Sequence, residues 1–165
     1  FIIWNACGLG AQVNLDFLAT KVMKHKACIV VVLEHKQQLA KLGEFTWKVG
    51  MKGGLHADLT NHHICIFWKE EVLVNFVQAS DHFIAVKASI GTKSIFLSMV
   101  YESYDVQQRE VMWHDLYGFE PRDSPWFVGG DFNVISYPEE KKGRGEFTHA
   151  ASSRFVQFMP GKGIL

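Results

Sequence analysis

Residues 28–33 form the run that most limits what this chain can fold into. The run holds six apolar residues, with three consecutive valines at its centre, and Glu34 follows it directly. Six residues are too few for a stable helix, and β-branched side chains favour strands. Successive side chains of a strand point to opposite faces of its sheet, so a strand without polar residues indicates a sheet covered on both faces. The sequence therefore predicts a central strand buried between two other layers.

Other apolar runs predict further strands on either side of this one. They lie at 1–4, 45–49, 64–68, 72–77, 83–89 and 94–100, with a final run ending at Gly129-Gly130-Asp131. We interpret Gly53-Gly54 and Gly91-Thr92 as turns, and short turns predict antiparallel pairing of the strands that they join.

Two stretches, 14–26 and 107–117, have the periodicity of amphipathic helices. Their buried faces are expected to contain Leu15, Leu18 and Val22 in the first, and Val111, Met112 and Leu116 in the second. Residues 151–158 are compatible with a third helix. The order of helices and strands predicts one α/β (α+β) domain over residues 1–165, with no internal boundary.

The composition excludes several classes of protein. With 48% hydrophobic and 21% charged residues, the chain is not a disordered tail. The 17 basic residues balance the 17 acidic ones. Any contact with a nucleic acid must therefore come from a local patch rather than from the overall charge.

The cysteines and the ends of the chain add three expectations. Cys7, Cys28 and Cys65 form no CxxC pair, which argues against a disulfide framework or a structural zinc site and favours a reducing, intracellular compartment. No run approaches the roughly 20 apolar residues of a membrane span, so we expect no membrane contact. The chain starts without Met and stops on apolar residues, so we expect a domain whose C-terminal part is missing.

Polar residues follow four of the apolar runs at the point where each run ends. If these ends are aligned, five side chains meet in one cleft: Asn5, Glu34, Tyr101, Asp131 and Asn133. Two carboxylates, two amides and a phenol are suited to hydrolysis of a phosphate ester with a hard divalent cation. Taken singly, each of the five is better interpreted as an ordinary cap after a strand, whereas the set as a whole favours the shared cleft.

The motifs WNACGLG, VVLEHK, VYES, GGDFNVI and PEEKKGRG, in this order, resemble the endonuclease/exonuclease/phosphatase superfamily. They are most similar to the apurinic-type endonuclease domain of plant LINE (non-LTR) retrotransposons, over residues 1 to about 158. The resemblance implies a DNase I-like four-layer fold, a two-sheet β-sandwich flanked by helices and truncated here at the C-terminus. It also implies nicking of DNA with Mg²⁺ or Mn²⁺, a nuclear location and a reverse transcriptase domain downstream.

The resemblance implies a role for each of the five strand-end residues. Glu34 would be the principal metal ligand, and Asn5 would support both the metal and the phosphate. Tyr101 would contact the scissile phosphate. Asp131 would orient or deprotonate the attacking water, and Asn133 would position Asp131 and the phosphate.

The chain departs from the family pattern in three places. Cys7 stands where many family members have an acid, and Asn61-His62-His63 stands where the family has Ser-Gly-Gly. The family's second catalytic Asp and its Ser-Asp-His motif would follow Leu165, so we expect residues 1–165 alone not to catalyse. Two alternatives stay open: a phosphatase or phosphodiesterase acting on a small or lipid phosphate, and a non-catalytic remnant.

Ser80-Asp81-His82 has the same three letters as the family's Ser-Asp-His motif but precedes GGDFN instead of following it. We interpret it as a solvated turn rather than as the source of the catalytic histidine. Trp113 and Trp126 are expected in the core rather than as platforms for bases.

Overall fold

The computed structural model describes residues 1–8, 12–35, 39–56, 64–102, 106–121, 124–143, 152–153 and 155–157. The helices are α1 (Gln12–His25), α2 (Leu39–Lys48) and α3 (Val106–Phe119), and a short 3₁₀ helix spans Pro138–Glu140. The strands are β1 (Ile2–Asn5), β2 (Ile29–Leu33), β3 (Gly53–His56), β4 (Ile64–Trp68), β5 (Leu73–Ala79), β6 (Phe83–Ile90), β7 (Lys93–Tyr101) and β8 (Trp126–Asp131). Residues 61–63, where the chain departs from the family pattern, lie outside the described residues.

The described strands form two four-stranded sheets. The first has the order β1-β2-β4-β3 and the second has the order β5-β6-β7-β8. The β5–β6 and β6–β7 pairs are antiparallel, with Gly91-Thr92 at the turn of the second pair, as the short turns predicted. The sheets therefore change between β4 and β5, although these strands are neighbours in the chain.

Strand β2 is apolar on both faces because both faces are covered. Val30 and Val32 belong to a cluster with α1 and with Phe45 of α2. Val31 and Leu33 belong to a second cluster that lies between the two sheets. The predicted central strand is thus confirmed, and its alternating side chains enter two different layers of the core.

A third cluster covers the outer face of the second sheet. Phe83 and Val100 of the sheet pack there against Met112, Trp113 and Leu116 of α3. The described layers are therefore helices, sheet, sheet and helix. This arrangement is the four-layer fold that the motif resemblance implied.

Two parallel strand pairs determine where the polar strand ends lie. β1 runs parallel to β2 after the α1 crossover, with Asn5 opposite Leu33. β7 runs parallel to β8 after the α3 crossover, with Tyr101 opposite Asp131. Strands β1 and β8 face each other across the sandwich, where the rings of Phe1 and Phe127 lie 4.8 Å apart. The carboxyl ends of both pairs consequently meet at one edge of the molecule.

The strand predicted at 45–49 is wrong, because these residues lie at the end of α2 and just after it. The alternation of Phe45, Trp47 and Val49 suggested a strand with one buried face. In the structure Phe45 and Val49 are buried, four residues apart on one side of a helical turn, while Trp47 is 86% exposed. Because Phe45 and Val49 lie four residues apart, a helical turn buries both side chains and leaves Trp47 exposed.

Two smaller predictions are also corrected. Gly53-Gly54 begins strand β3 instead of forming a turn, and Gly53 leaves the space that the indole of Trp68 occupies. In α3, Met112 and Leu116 are buried as expected, but Val111 is 54% exposed because the apolar face continues through Trp113 instead. In the described part of the chain, no helix is both long and apolar enough to cross a membrane.

Candidate active site

The structure brings all five strand-end residues together at the edge where β1, β2, β7 and β8 finish. We call Asn5, Glu34, Tyr101, Asp131 and Asn133 the strand-end cluster. Two of them adopt left-handed backbone conformations, with φ of +51° at Glu34 and +45° at Asn133. Such conformations cost about 1–3 kcal/mol and concentrate at functional sites.

Asn5 joins the two carboxylates of the cluster. Its side-chain nitrogen Nδ2 donates to Oδ2 of Asp131 at 2.7 Å and to Oε1 of Glu34 at 3.3 Å. Its oxygen Oδ1 accepts the backbone N–H of Cys7 at 3.0 Å, which fixes the orientation of the amide. One amide thus holds carboxylate oxygens from both sheets within hydrogen-bond distance of a single nitrogen.

Glu34 lies where β2 ends, and the neighbouring chain determines its position. The backbone O of Leu33 accepts from the N–H of Ala6 at 2.9 Å, and that of Glu34 accepts from Gly8 at 2.8 Å. The hydroxyl of Tyr101 donates to Oε1 of Glu34 at 2.8 Å, so one carboxylate oxygen accepts from groups of both sheets. The hydrogen bonds of Glu34 therefore join the two sheets.

Asp131 is held by the turn that follows it. The backbone N–H of Asn133 donates to Oδ1 of Asp131 at 2.9 Å, while the side-chain Nδ2 of Asn133 donates to the backbone O of Glu102 at 2.5 Å. Gly130 lets β8 approach β7 closely, because a Cβ at its φ of +147° would lie 1.9 Å from the backbone O of Val100. Asn133 thus positions Asp131 through its main chain rather than through its amide group.

The donor set of the cluster fits a hard divalent cation. Two carboxylates, Glu34 and Asp131, accept from the same Asn5 nitrogen, and adjacent carboxylates repel each other unless a positive charge is nearby. Mg²⁺ typically takes one or two protein carboxylates and keeps waters or phosphate oxygens as its other ligands. Among the described residues, no three His, Cys, Asp or Glu side chains form a ready-made metal cage. Glu34 and Asp131 are therefore the two carboxylates that would face such a cation.

Three residues near the cluster were not identified as site residues from the sequence. Arg109 of α3 donates from Nη2 to the backbone O of Asn133 at 3.2 Å. Glu102 and His82 lie behind Tyr101, with 3.6 Å between His82 Nδ1 and Glu102 Oε1. The interpretation of residues 80–82 as a solvated turn is wrong for His82, which is buried, although Asp81 is exposed. Only the position of Glu102 directly after Tyr101 could have drawn attention to it.

Several solved structures share this architecture. The endonuclease domain of TRAS1, a telomere-specific non-LTR retrotransposon, matches with a TM-score of 0.65 and 15% identity over 98% of this chain and 70% of its own. An AP endonuclease from Archaeoglobus fulgidus matches with a TM-score of 0.65 and 17% identity over 95% of this chain and 68% of its own. D. rerio TDP2 complexed with single strand DNA product matches with a TM-score of 0.61 and 12% identity over 81% and 60%.

The fold is the DNase I-like fold. The matched structures include a retrotransposon endonuclease domain and an AP endonuclease, and their fold is the one that the motif resemblance implies. No protein-family model and no curated protein matches the sequence. The chain spans 65% of the humanized D. rerio TDP2 structure and 49% of a Caenorhabditis elegans TDP2 structure.

Proposed function

We propose that this chain is part of a divalent-metal-dependent phosphodiesterase that nicks DNA, of the LINE retrotransposon endonuclease type. One observation carries the proposal: Asn5 bridges Glu34 of one sheet and Asp131 of the other in a DNase I-like fold. Bare strand caps would not require side chains that lie 126 residues apart in sequence to share a hydrogen bond. A site that works on a phosphodiester does require them to lie together.

Each member of the cluster has a chemical task in this proposal. Asp131 takes the proton of an attacking water, since its carboxylate is oriented by Asn5 on one oxygen and by the main chain of Asn133 on the other. Tyr101, Asn5 and Asn133 would donate to the oxygens of the bound phosphate, and the Tyr101 hydroxyl would turn from Glu34 to do so. Glu34, with Asp131 beside it, would hold Mg²⁺ or Mn²⁺, which supplies positive charge for the phosphate oxygens.

DNA is proposed as the substrate on two grounds. The motifs of the chain resemble LINE endonucleases, and the matched structures include a retrotransposon endonuclease domain and a TDP2 bound to a single-strand DNA product. The zero net charge requires that any DNA contact be local to the site. A reverse transcriptase partner on the same polypeptide and a nuclear location belong to the same proposal.

The test is nicking of supercoiled plasmid in the presence of Mg²⁺ or Mn²⁺. It is run on residues 1–165 and on the longest product of the reading frame that contains them. We expect the longer product to nick and Asp131→Asn to lower its rate about 1,000-fold or more, with the melting temperature nearly unchanged. Asp16→Asn, the same change at an exposed site on α1, is the control and should leave nicking unaltered.

Three results would overturn this proposal in whole or in part. Absence of nicking from both products would remove the nuclease activity itself. Hydrolysis of a small phosphomonoester without nicking would instead indicate a phosphatase, the alternative function within the superfamily. A sharp fall in the melting temperature of Asp131→Asn would show that Asp131 is a structural cap.

A further inference from the structure

Glu102 is a carboxylate buried directly behind the strand-end cluster, and the proposed mechanism assigns it no task. It follows Tyr101 at the end of β7 and is only 1% exposed. A carboxylate in such a place is costly unless surrounding groups stabilise its charge. A buried acid that is kept next to a reactive site is a candidate for positioning that site.

The main chain of Glu102 holds both ends of the segment 131–133. Its N–H donates to the backbone O of Asp131 at 2.8 Å. Its backbone O accepts from Nδ2 of Asn133 at 2.5 Å. Because a carbonyl oxygen can only accept, this bond determines which end of the Asn133 amide is nitrogen and which way its oxygen faces. The orientation of Asn133 therefore depends on where the main chain of Glu102 lies.

His82, the residue just before β6, fixes that main chain. Its Nδ1 lies 3.6 Å from Oε1 of Glu102, and both side chains are almost fully buried. The backbone O of His82 accepts from the N–H of Tyr101 at 2.9 Å, and its own N–H donates to Oγ of Ser80 at 3.2 Å. His82 thus contacts residues 101 and 102 by two independent routes, one through the main chain and one through the side chain.

We propose that His82 and Glu102 form a positioning pair that sets the orientation of Asn133. The proposal rests on the proposed phosphodiesterase function, because it concerns an amide of that site. Neither member of the pair contacts substrate; both act through the main chain of residues 101 and 102. Misplacement of a reacting group by about 1 Å can cost about 100-fold in rate. Loss of the pair therefore lowers kcat and leaves KM unchanged.

Three variants separate positioning from stability. His82→Leu removes the ring nitrogen that faces Glu102, whereas His82→Gln retains a donor and should rescue. Ser98→Ala is the matched control, because it removes a buried hydrogen bond, Trp126 Nε1 to Ser98 Oγ at 2.9 Å, three residues before Tyr101 on β7. If His82→Leu does not fold, Glu102→Gln keeps the volume of the side chain and tests the same contact.

The readout is hydrogen exchange of the Asn133 side-chain amide by NMR on residues 1–165, with kcat and KM measured on the product that nicks. We expect exchange of this amide to rise about fivefold in His82→Leu. This is the factor that corresponds to losing one hydrogen bond, here the one from Asn133 Nδ2 to the backbone O of Glu102. The kcat value should fall about tenfold or more in that variant, within the range for misplaced groups. His82→Gln should behave like the wild type, and Ser98→Ala should lower only the melting temperature.

The proposal is overturned if His82→Leu and Ser98→Ala lower the melting temperature alike and neither alters the Asn133 amide. It is also overturned if His82→Gln fails to rescue a loss seen in His82→Leu. A wild-type protein that shows a protected Asn133 amide but no nicking would contradict the proposed function alone, since the amide signal is measured without turnover.

Discussion

The strand-end cluster and the contact between α1 and α2 both pair carboxylates with hydrogen-bond donors, but they are held in different ways. In the cluster, Asn5 bonds to Glu34 and Asp131 from the ends of three strands. Between the helices, Lys48 bonds to Asp16 with both side chains about half exposed. The first contact is set by the register of two sheets, and the second by two flexible side chains in water.

This difference shows where precise chemistry can be built. Backbone pairing fixes Tyr101 opposite Asp131 and Asn5 opposite Leu33, so the cluster cannot move without disturbing strand register. An exposed ion pair contributes little, because water and salt screen it and two long side chains must be ordered. Only the cluster has the geometric constraint that catalysis of a phosphodiester requires.

The largest effect tests whether apolar packing, rather than the ion pair, attaches α2. Phe45 is buried against Phe67, with 6.1 Å between their ring centroids, whereas Trp47 two residues later is exposed. We expect Phe45→Ala to lower the free energy of unfolding by about 3–5 kcal/mol, measured by urea denaturation. Trp47→Ala is the control and should change it little. Equal losses in the two variants would contradict the helical placement of Phe45.

The next effect tests the link between the two sheets within the cluster. Tyr101→Phe removes the hydroxyl that donates to Glu34. We expect the free energy of unfolding to fall by about 1 kcal/mol, the typical contribution of one hydrogen bond. Nicking should fall about 100-fold, the order seen when one donor to a reacting oxygen is removed.

Tyr137→Phe serves as the control for that prediction, because Tyr137 is an exposed tyrosine in the segment after β8. Both rate and stability should stay at the wild-type level in this variant. If Tyr101→Phe lowered stability but left nicking intact, the hydroxyl would only hold Glu34 in place and would have no part in the chemistry.

The smallest effect concerns the exposed ion pair. The hydrogen bond from Lys48, followed by that from Gln12, holds the pKa of Asp16 below its usual value of 3.8. A depressed pKa in the folded state stabilises the protein above the unfolded pKa, and this contribution is lost as the pH falls through the folded value. Lys48→Met should therefore raise the pKa of Asp16 towards 3.8 in an NMR titration and leave the melting temperature at pH 7 almost unaltered. An unchanged titration of Asp16 would contradict the contact.

The sequence was sufficient where one residue pattern had one structural meaning. The valines of β2 predicted a doubly covered strand, and Leu15, Leu18 and Val22 predicted α1, because the burial of each depends mainly on local spacing. The polar residues at the strand ends predicted the cluster on the condition that these ends align, and the parallel pairs β1–β2 and β7–β8 meet that condition.

The sequence was insufficient where tertiary contacts decide between alternatives. Phe45, Trp47 and Val49 fit a strand as well as a helix until the packing of Phe45 against Phe67 is known. We predicted that His82 is solvated because no residue near it in the sequence indicates its contact with Glu102, which follows β7. The buried pair behind the cluster is thus a product of strand pairing, and no local motif encodes it.

The central claim is that Glu34 binds a divalent cation at the strand-end cluster, and Mn²⁺ titration followed by NMR tests it most directly. A paramagnetic ion broadens the signals of nearby nuclei, so the backbone amides of the strand-end cluster should lose intensity first, while those of Asp16 and Lys48 persist. Glu34→Gln should abolish this selective loss, and Asp16→Asn should leave it unchanged. Broadening that begins at Asp16, or that is the same in Glu34→Gln as in the wild type, would contradict the account.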